Sequence, residues 1–140
     1  MSLPWSCSAC HRQFTRANQR HRCGTGDRQE VLRGRPKSLV ALYRSLETCV
    51  RRFGAVEIVA RDRYVLFRAT RIFADLVVMK DALRIAVHLG RRVSDPIFFK
   101  SGADRKRFTH VALLRDATSL AAVKPYLREA YALSTGGGRA

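Results

Sequence analysis

The apolar residues of this chain change period at Gly54, and that switch limits the folds open to it more than any other feature. After Pro36, Leu39, Leu42, Tyr43, Leu46, Val50 and Phe53 recur at three- and four-residue spacings, the repeat of one face of an α-helix. Pro36 suits a first-turn position and Gly54 the C′ position, so the spacing predicts one amphipathic helix of about 16 residues. From Val56 onward the period moves toward two, in Val56–Val59, Tyr64–Phe67, Ile72–Met79, Ala82–Leu89 and Phe108–Leu114, which predicts five short strands. The breaks between the first four are short and carry turn residues (Arg61-Asp62-Arg63, Ala69-Thr70-Arg71, Lys80-Asp81). Consecutive strands are therefore expected to pair antiparallel as a meander.

Gly90 to Lys106 lacks either period and holds Arg91, Arg92, Lys100, Arg105 and Lys106 between the breakers Asp95-Pro96 and Ser101-Gly102; it reads as a basic loop. Asp116 suits the N-cap of a closing helix whose apolar stripe is Leu120, Val123, Leu127, Ala130 and Tyr131. Pro125 is expected to kink or split that helix. The expected class is α+β, an antiparallel sheet of about five strands flanked by an N-terminal and a C-terminal helix. The expected divisions are a small metal-binding module over 1–26, a linker over 27–36, a basic domain over 37–133 and a frayed, glycine-rich tail over 134–140.

Three of the four cysteines fall in the first 23 residues. Cys7-x2-Cys10 is zinc-knuckle spacing, in which a tight turn carries two thiolates to one ion, and His21-x-Cys23 completes a tetrahedral three-Cys, one-His set. Four protein ligands leave no open position for water, so the expected Zn²⁺ is structural. Phe14 is placed to pack beneath the metal and Trp5 to cap it. His11 competes as a ligand but directly follows Cys10, and a redox Cys-x-x-Cys expects a strand-to-helix setting that this segment lacks. Arg12, Arg16 and Arg20 repeat at four-residue intervals, with Arg22 beside them; in a helix the first three line one face, suited to phosphates or simply to solvent. The spacing departs from the two-cysteine, two-histidine finger, so base-reading positions do not transfer.

Charge points to the partner. Across 140 residues, 27 Lys and Arg face 11 Asp and Glu, a net +16, and the sequence pI is about 11.1. Such an imbalance favours a polyanion. Of the 27 cations 22 are Arg, which suits forked phosphate recognition and also GC-rich codon usage. At 46% hydrophobic residues the chain has material for one core, and its length excludes a large multidomain enzyme. No export signal is evident at Met1–Cys7, and the most apolar run, Ile72–Met79, is too short to span a bilayer; a cytoplasmic chain without membrane contact is expected.

The motifs W-x-C-x2-C, Phe14, N-Q-x2-H-x-C, ALYRSL (41–46), YVLFR (64–68), IFADL (72–76), FTHVALL (108–114) and LREAYAL (127–133) resemble the domain-of-unknown-function 5655 family, in versions with an N-terminal zinc knuckle. The resemblance covers nearly the whole chain and implies an α+β domain whose antiparallel sheet lies between or beside two helices. It also implies a binding accessory, since family members occur fused to longer proteins, some with nuclease-like parts.

Alternation puts Leu83, Ile85, Val87 and Leu89 on one face of their strand and Arg84, Ala86 and His88 on the other. Tyr64, Arg84, His88 and His110 are the candidate ligand face, with His110 also readable as a structural histidine bonded to a neighbouring carbonyl. Cys49 reads as a small core residue. No nucleophile partner is evident for either histidine, and Glu57 with Asp75 on adjacent strands is the one arrangement that suits Mg²⁺. The sequence therefore reads as a zinc-binding, basic, non-enzymatic protein that holds DNA or RNA through phosphates with little sequence specificity, using Arg12, Arg16, Arg20, Arg22, Arg105, Lys106 and Arg107. A protein-interaction adaptor using the knuckle and an acidic-ligand binder on the sheet face are the alternatives. Oligomeric state is open, since an edge strand permits dimerisation without requiring it.

Overall fold

The structure, a computed structural model, describes residues 26–61, 64–104 and 107–136, and the backbone of two short strands, β1 (Trp5–Ser6) and β2 (Gln13–Phe14), which pair antiparallel. A six-stranded antiparallel sheet is built from β3 (Glu57–Arg61), β4 (Tyr64–Arg68), β5 (Ile72–Val78), β6 (Leu83–Leu89), β7 (Phe98–Asp104) and β8 (Arg107–Leu114), in the order β3-β4-β5-β6-β8-β7. With α1 (Arg28–Leu32), α2 (Lys37–Arg51) and α3 (Ala117–Ser134) beside it, the class is α+β. Among the described residues no helix is long and apolar enough to cross a membrane.

The period-two pattern sorts the sheet into two faces. Ile58, Ala60, Val65, Phe67, Ala74, Leu76, Val78, Leu83, Ile85, Val87, Leu89, Ala112 and Leu114 join one buried cluster with Val31, Leu32, Leu39, Leu42, Tyr43, Leu46, Val50, Leu120, Val123, Leu127 and Ala130 of the helices. Each buried Leu, Ile, Val or Phe side chain contributes about 1.5–3 kcal/mol relative to exposure. Asp116 caps α3 in a capping box: Ser119 N donates to its carboxylate at 2.8 Å, and Asp116 N donates to Ser119 Oγ at 3.2 Å.

Four expectations are corrected. The stretch read as a linker carries α1, capped by Asp27 accepting from Gln29 N at 2.9 Å. This helix buries Val31 and Leu32 in the core; with only two apolar residues, so short a helix leaves no periodic signal. The segment read as a basic loop holds β7, an edge strand that pairs with β8 alone and gives the core cluster one half-buried residue, Phe98; alternation has nothing to register there. The part before it is tied down, because Asp95 accepts from Ile97 N at 3.0 Å and from the Tyr126 hydroxyl at 2.6 Å. Finally, α3 is one helix from Ala117 to Ser134 with Pro125 inside it, so Pro125 does not split it. Pro125 and Ala121 are both solvent-exposed, so the Ala121 carbonyl deprived of its helical donor faces water. Ser134, assigned to the tail, ends this helix and is buried, with Oγ donating to Arg71 O at 2.8 Å and accepting from Arg71 N at 3.0 Å.

Gly26 leads the chain into α1 at φ +74°, and a Cβ there would sit 2.0 Å from the Ala60 carbonyl oxygen. Gly26→Ala combines a left-handed backbone with a main-chain clash. It is expected to cost more than about 2 kcal/mol, read as a lowered urea midpoint at unchanged slope.

Candidate nucleic-acid interface

The sheet face turned away from the core cluster is built by register. Arg61 pairs with Tyr64, Tyr64 with Val77, Val77 with Arg84, and Arg84 with Leu113, so these five residues form one row across β3, β4, β5, β6 and β8. On β7 the register shifts between Phe98 and Lys100. Phe98 turns inward against His110 and Tyr126, each ring centroid 5.0 Å away, while Phe99 is 56% exposed and lies under the Arg84 guanidinium, 5.8 Å from its ring centroid. Tyr64, Val77, Met79 and Phe99 are the exposed large hydrophobics among the described residues. Tyr64 and Val77 belong to this row, Phe99 extends it onto β7 through the Arg84 guanidinium, and Met79 follows Val77 by two residues just past the end of β5. Neighbouring strands lie about 4.8 Å apart, so Tyr64 on β4 and Phe99 on β7, four strands away, bracket a band of roughly 19 Å.

Closer to the other end of that face, three strands are laced together. His88 Nε2 stands 3.0 Å from Asp75 Oδ2 and His88 Nδ1 3.0 Å from Thr109 Oγ1. The carboxylate only accepts, so Nε2 carries a proton, and in the neutral ring the Thr109 hydroxyl donates to Nδ1. Sequence reasoning missed this series, because Asp75 and Thr109 meet His88 only through the pairing of β5 and β8 with β6. It also corrects the Mg²⁺ arrangement: β4 separates Glu57 from Asp75, Glu57 faces Arg68 at 3.8 Å and Asp75 is engaged by His88.

Of the expected ligand face, Tyr64, Arg84 and His88 do share one side. His110 does not. It is 0% exposed on the core side, accepting from Val93 N at Nε2 (2.9 Å) and donating from Nδ1 to Phe108 O (3.3 Å). This is the structural histidine bonded to a neighbouring carbonyl. Burial, first, and then the nearby Arg92 and Arg91 lower its pKa, against the raising effect of the Phe108 carbonyl.

Arg107 is exposed at the start of β8 and, with Arg71 and His88, lines a cleft of about 730 Å³ where the sheet end meets the end of α3. Arg105 and Lys106 lie outside the described residues, as do Arg12, Arg16, Arg20, Arg22 and the four metal candidates Cys7, Cys10, His21 and Cys23. Among the described residues no cluster of His, Cys, Asp or Glu is able to hold a metal ion, and Cys49 is a free, buried cysteine.

The family model described as Domain of unknown function (DUF5655) matches residues 29–134. The chain belongs to that family. No curated protein and no solved structure matches it. The DUF5655 domain thus begins within α1 and ends at Ser134, so α1 lies within the domain rather than in a linker.

Proposed function

We propose that this protein binds nucleic acid through phosphate contacts, without catalysis and with little sequence specificity, and that single strands cross the row described above. The observation that carries the reading is the row itself: two exposed aromatic rings at either side of a sheet face, with a guanidinium seated on one of them. Aromatic faces stack any base, and cations between them follow the backbone. The overall charge of +16 supplies the long-range attraction. Residues 1–26 add a structural zinc module held by Cys7, Cys10, His21 and Cys23; the pairing of Trp5–Ser6 with Gln13–Phe14 supports this, since it draws together the chain on either side of Cys7 and Cys10. The Asp75–His88–Thr109 series acts as a cross-strand clamp.

Titration of fluorescent random-sequence oligonucleotides at two salt concentrations tests the reading. With six or more phosphates neutralised, affinity is expected to fall about a thousandfold between 50 and 200 mM salt. A salt-insensitive affinity, or none at low salt, would sink it. Cys7→Ser reports whether the zinc module contributes contacts. Val77 in the row and Met79 beside it, both apolar and exposed, favour a second reading, a protein-docking surface; its mark is a protein partner that survives nuclease treatment.

A further inference from the structure

On the helical side of the molecule, away from the open sheet face, α2 and α3 leave a groove of about 430 Å³. From α2 it is lined by Arg44, Ser45, Thr48, Cys49 and Arg52, and from α3 by Ala117, Leu120, Ala121 and Lys124. Arg44, Thr48 and Arg52 repeat every four residues, one line along the helix, with Arg44 and Arg52 about 12 Å apart in rise. Opposite them α3 offers the small side chains of Ala117 and Ala121, which leave the groove open. Arg44, Arg52 and Lys124 are all exposed, and none of their side chains has a hydrogen-bonding or ion-pair partner among the described residues. Among the described residues no carboxylate lines the groove. The nearest acid on α2, Glu47, is engaged by Arg28 at 2.8 Å and Arg51 at 3.4 Å, and Asp116 is spent on capping α3. Arg128 continues the Lys124 line one turn on, its guanidinium 5.8 Å from the Phe53 ring centroid. At i, i+4 two like charges repel, a cost that a bound anion removes. Cys49, 8% exposed, lies at the floor; burial pushes its thiol up, only partly offset by Lys124, Arg128 and Arg52.

We infer that this groove is a second anion site, separate from the sheet face, that binds an oligophosphate chain. Several cations in line, rather than one focused cage, suit phosphates in series. The Ser45 and Thr48 hydroxyls donate to the non-bridging oxygens, and the arginines supply forked contacts. Inorganic oligophosphate and the phosphate tail of a nucleoside triphosphate share this chemistry. Leu120 and the two alanines offer only a shallow apolar wall to a base.

Calorimetric titration with tripolyphosphate, and in a second arm with ATP, tests the site at 150 mM salt on the full zinc-loaded chain. Saturable one-to-one binding is expected, weakened about tenfold or more by the double change Arg44→Glu and Lys124→Glu. Both positions are exposed, so the fold should persist, and circular dichroism checks that it does. The control Lys37→Glu with Lys80→Glu makes the same change in net charge away from the groove and should leave the affinity within about twofold. Bound tripolyphosphate should also slow alkylation of Cys49, followed on its own peptide by mass spectrometry. Tighter binding of ATP than of tripolyphosphate identifies the nucleotide as the source, and equal binding identifies the phosphate chain alone. Equal losses in the two double variants, or no saturable binding, would overturn the proposal. Single-stranded oligonucleotide binding on the sheet face should be unchanged by groove variants at 150 mM salt, so the two sites fail independently.

Discussion

Replacing Tyr64 and Phe99 together by alanine is expected to weaken single-stranded oligonucleotide binding by at least about 30-fold, because each stacked base contributes about 1–3 kcal/mol. The folded state should barely notice. The two rings are 42% and 56% exposed, and neither belongs to the core cluster. Duplex binding should change much less, since duplex bases are already stacked on each other and contact is limited to phosphates. Arg84→Gln is expected to fall between, losing a phosphate contact and the cation that sits over Phe99. Parallel anisotropy titrations with single strands and duplexes decide the matter. Equal losses for both, or none for either, would remove the row from the interface.

The second large effect concerns stability. His110→Ala is expected to cost about 2–4 kcal/mol, since it leaves the Val93 N–H without an acceptor and opens a void beside Phe98. For a domain near 100 residues this lowers Tm by roughly 10–25 °C. The same histidine sets a pH dependence. Nε2 accepts from Val93 N–H, so protonation would set two donors face to face, and the folded state holds the ring neutral below its ordinary value of 6.5. The unfolded chain takes up that proton first as pH falls, so the unfolded state binds more protons and stability declines with acid from about pH 6.5 downward. Asp95, held down by Ile97 N–H and then the Tyr126 hydroxyl, and Asp116, held down by Ser119, have carboxyls below 3.8. Their contribution is present above that value and is lost only below it, as pH falls through their folded pKa. Urea midpoints between pH 7.5 and 5.5 leave both carboxylates ionised, and the part of the slope that His110→Gln removes in that window belongs to His110. A wild-type midpoint unchanged over this range would rule out the tautomer assignment.

The helix after Pro36, the four-strand meander, the final strand and the Asp116 cap were all legible in the sequence, because each is encoded by side chains close together in the chain. Apolar period records which face of an element is buried, and capping is a matter of three or four residues. The same alternation placed Tyr64, Arg84 and His88 on a polar side.

Tertiary structure decided the rest. His110 shares its strand face with Ala112 and Leu114 of the core, but a histidine suits either side of a half-wet strand; the Phe98 ring and the Val93 N–H that hold it come from a segment without apolar period. Phe99 became part of the candidate interface through a register shift on an edge strand, and periodicity does not encode a one-residue bulge. The Asp75–His88–Thr109 series and the α2–α3 groove likewise join residues far apart in the chain. A sequence states the preference of each stretch for water or core, whereas the meeting of distant stretches is fixed only when the whole sheet and its helices pack together.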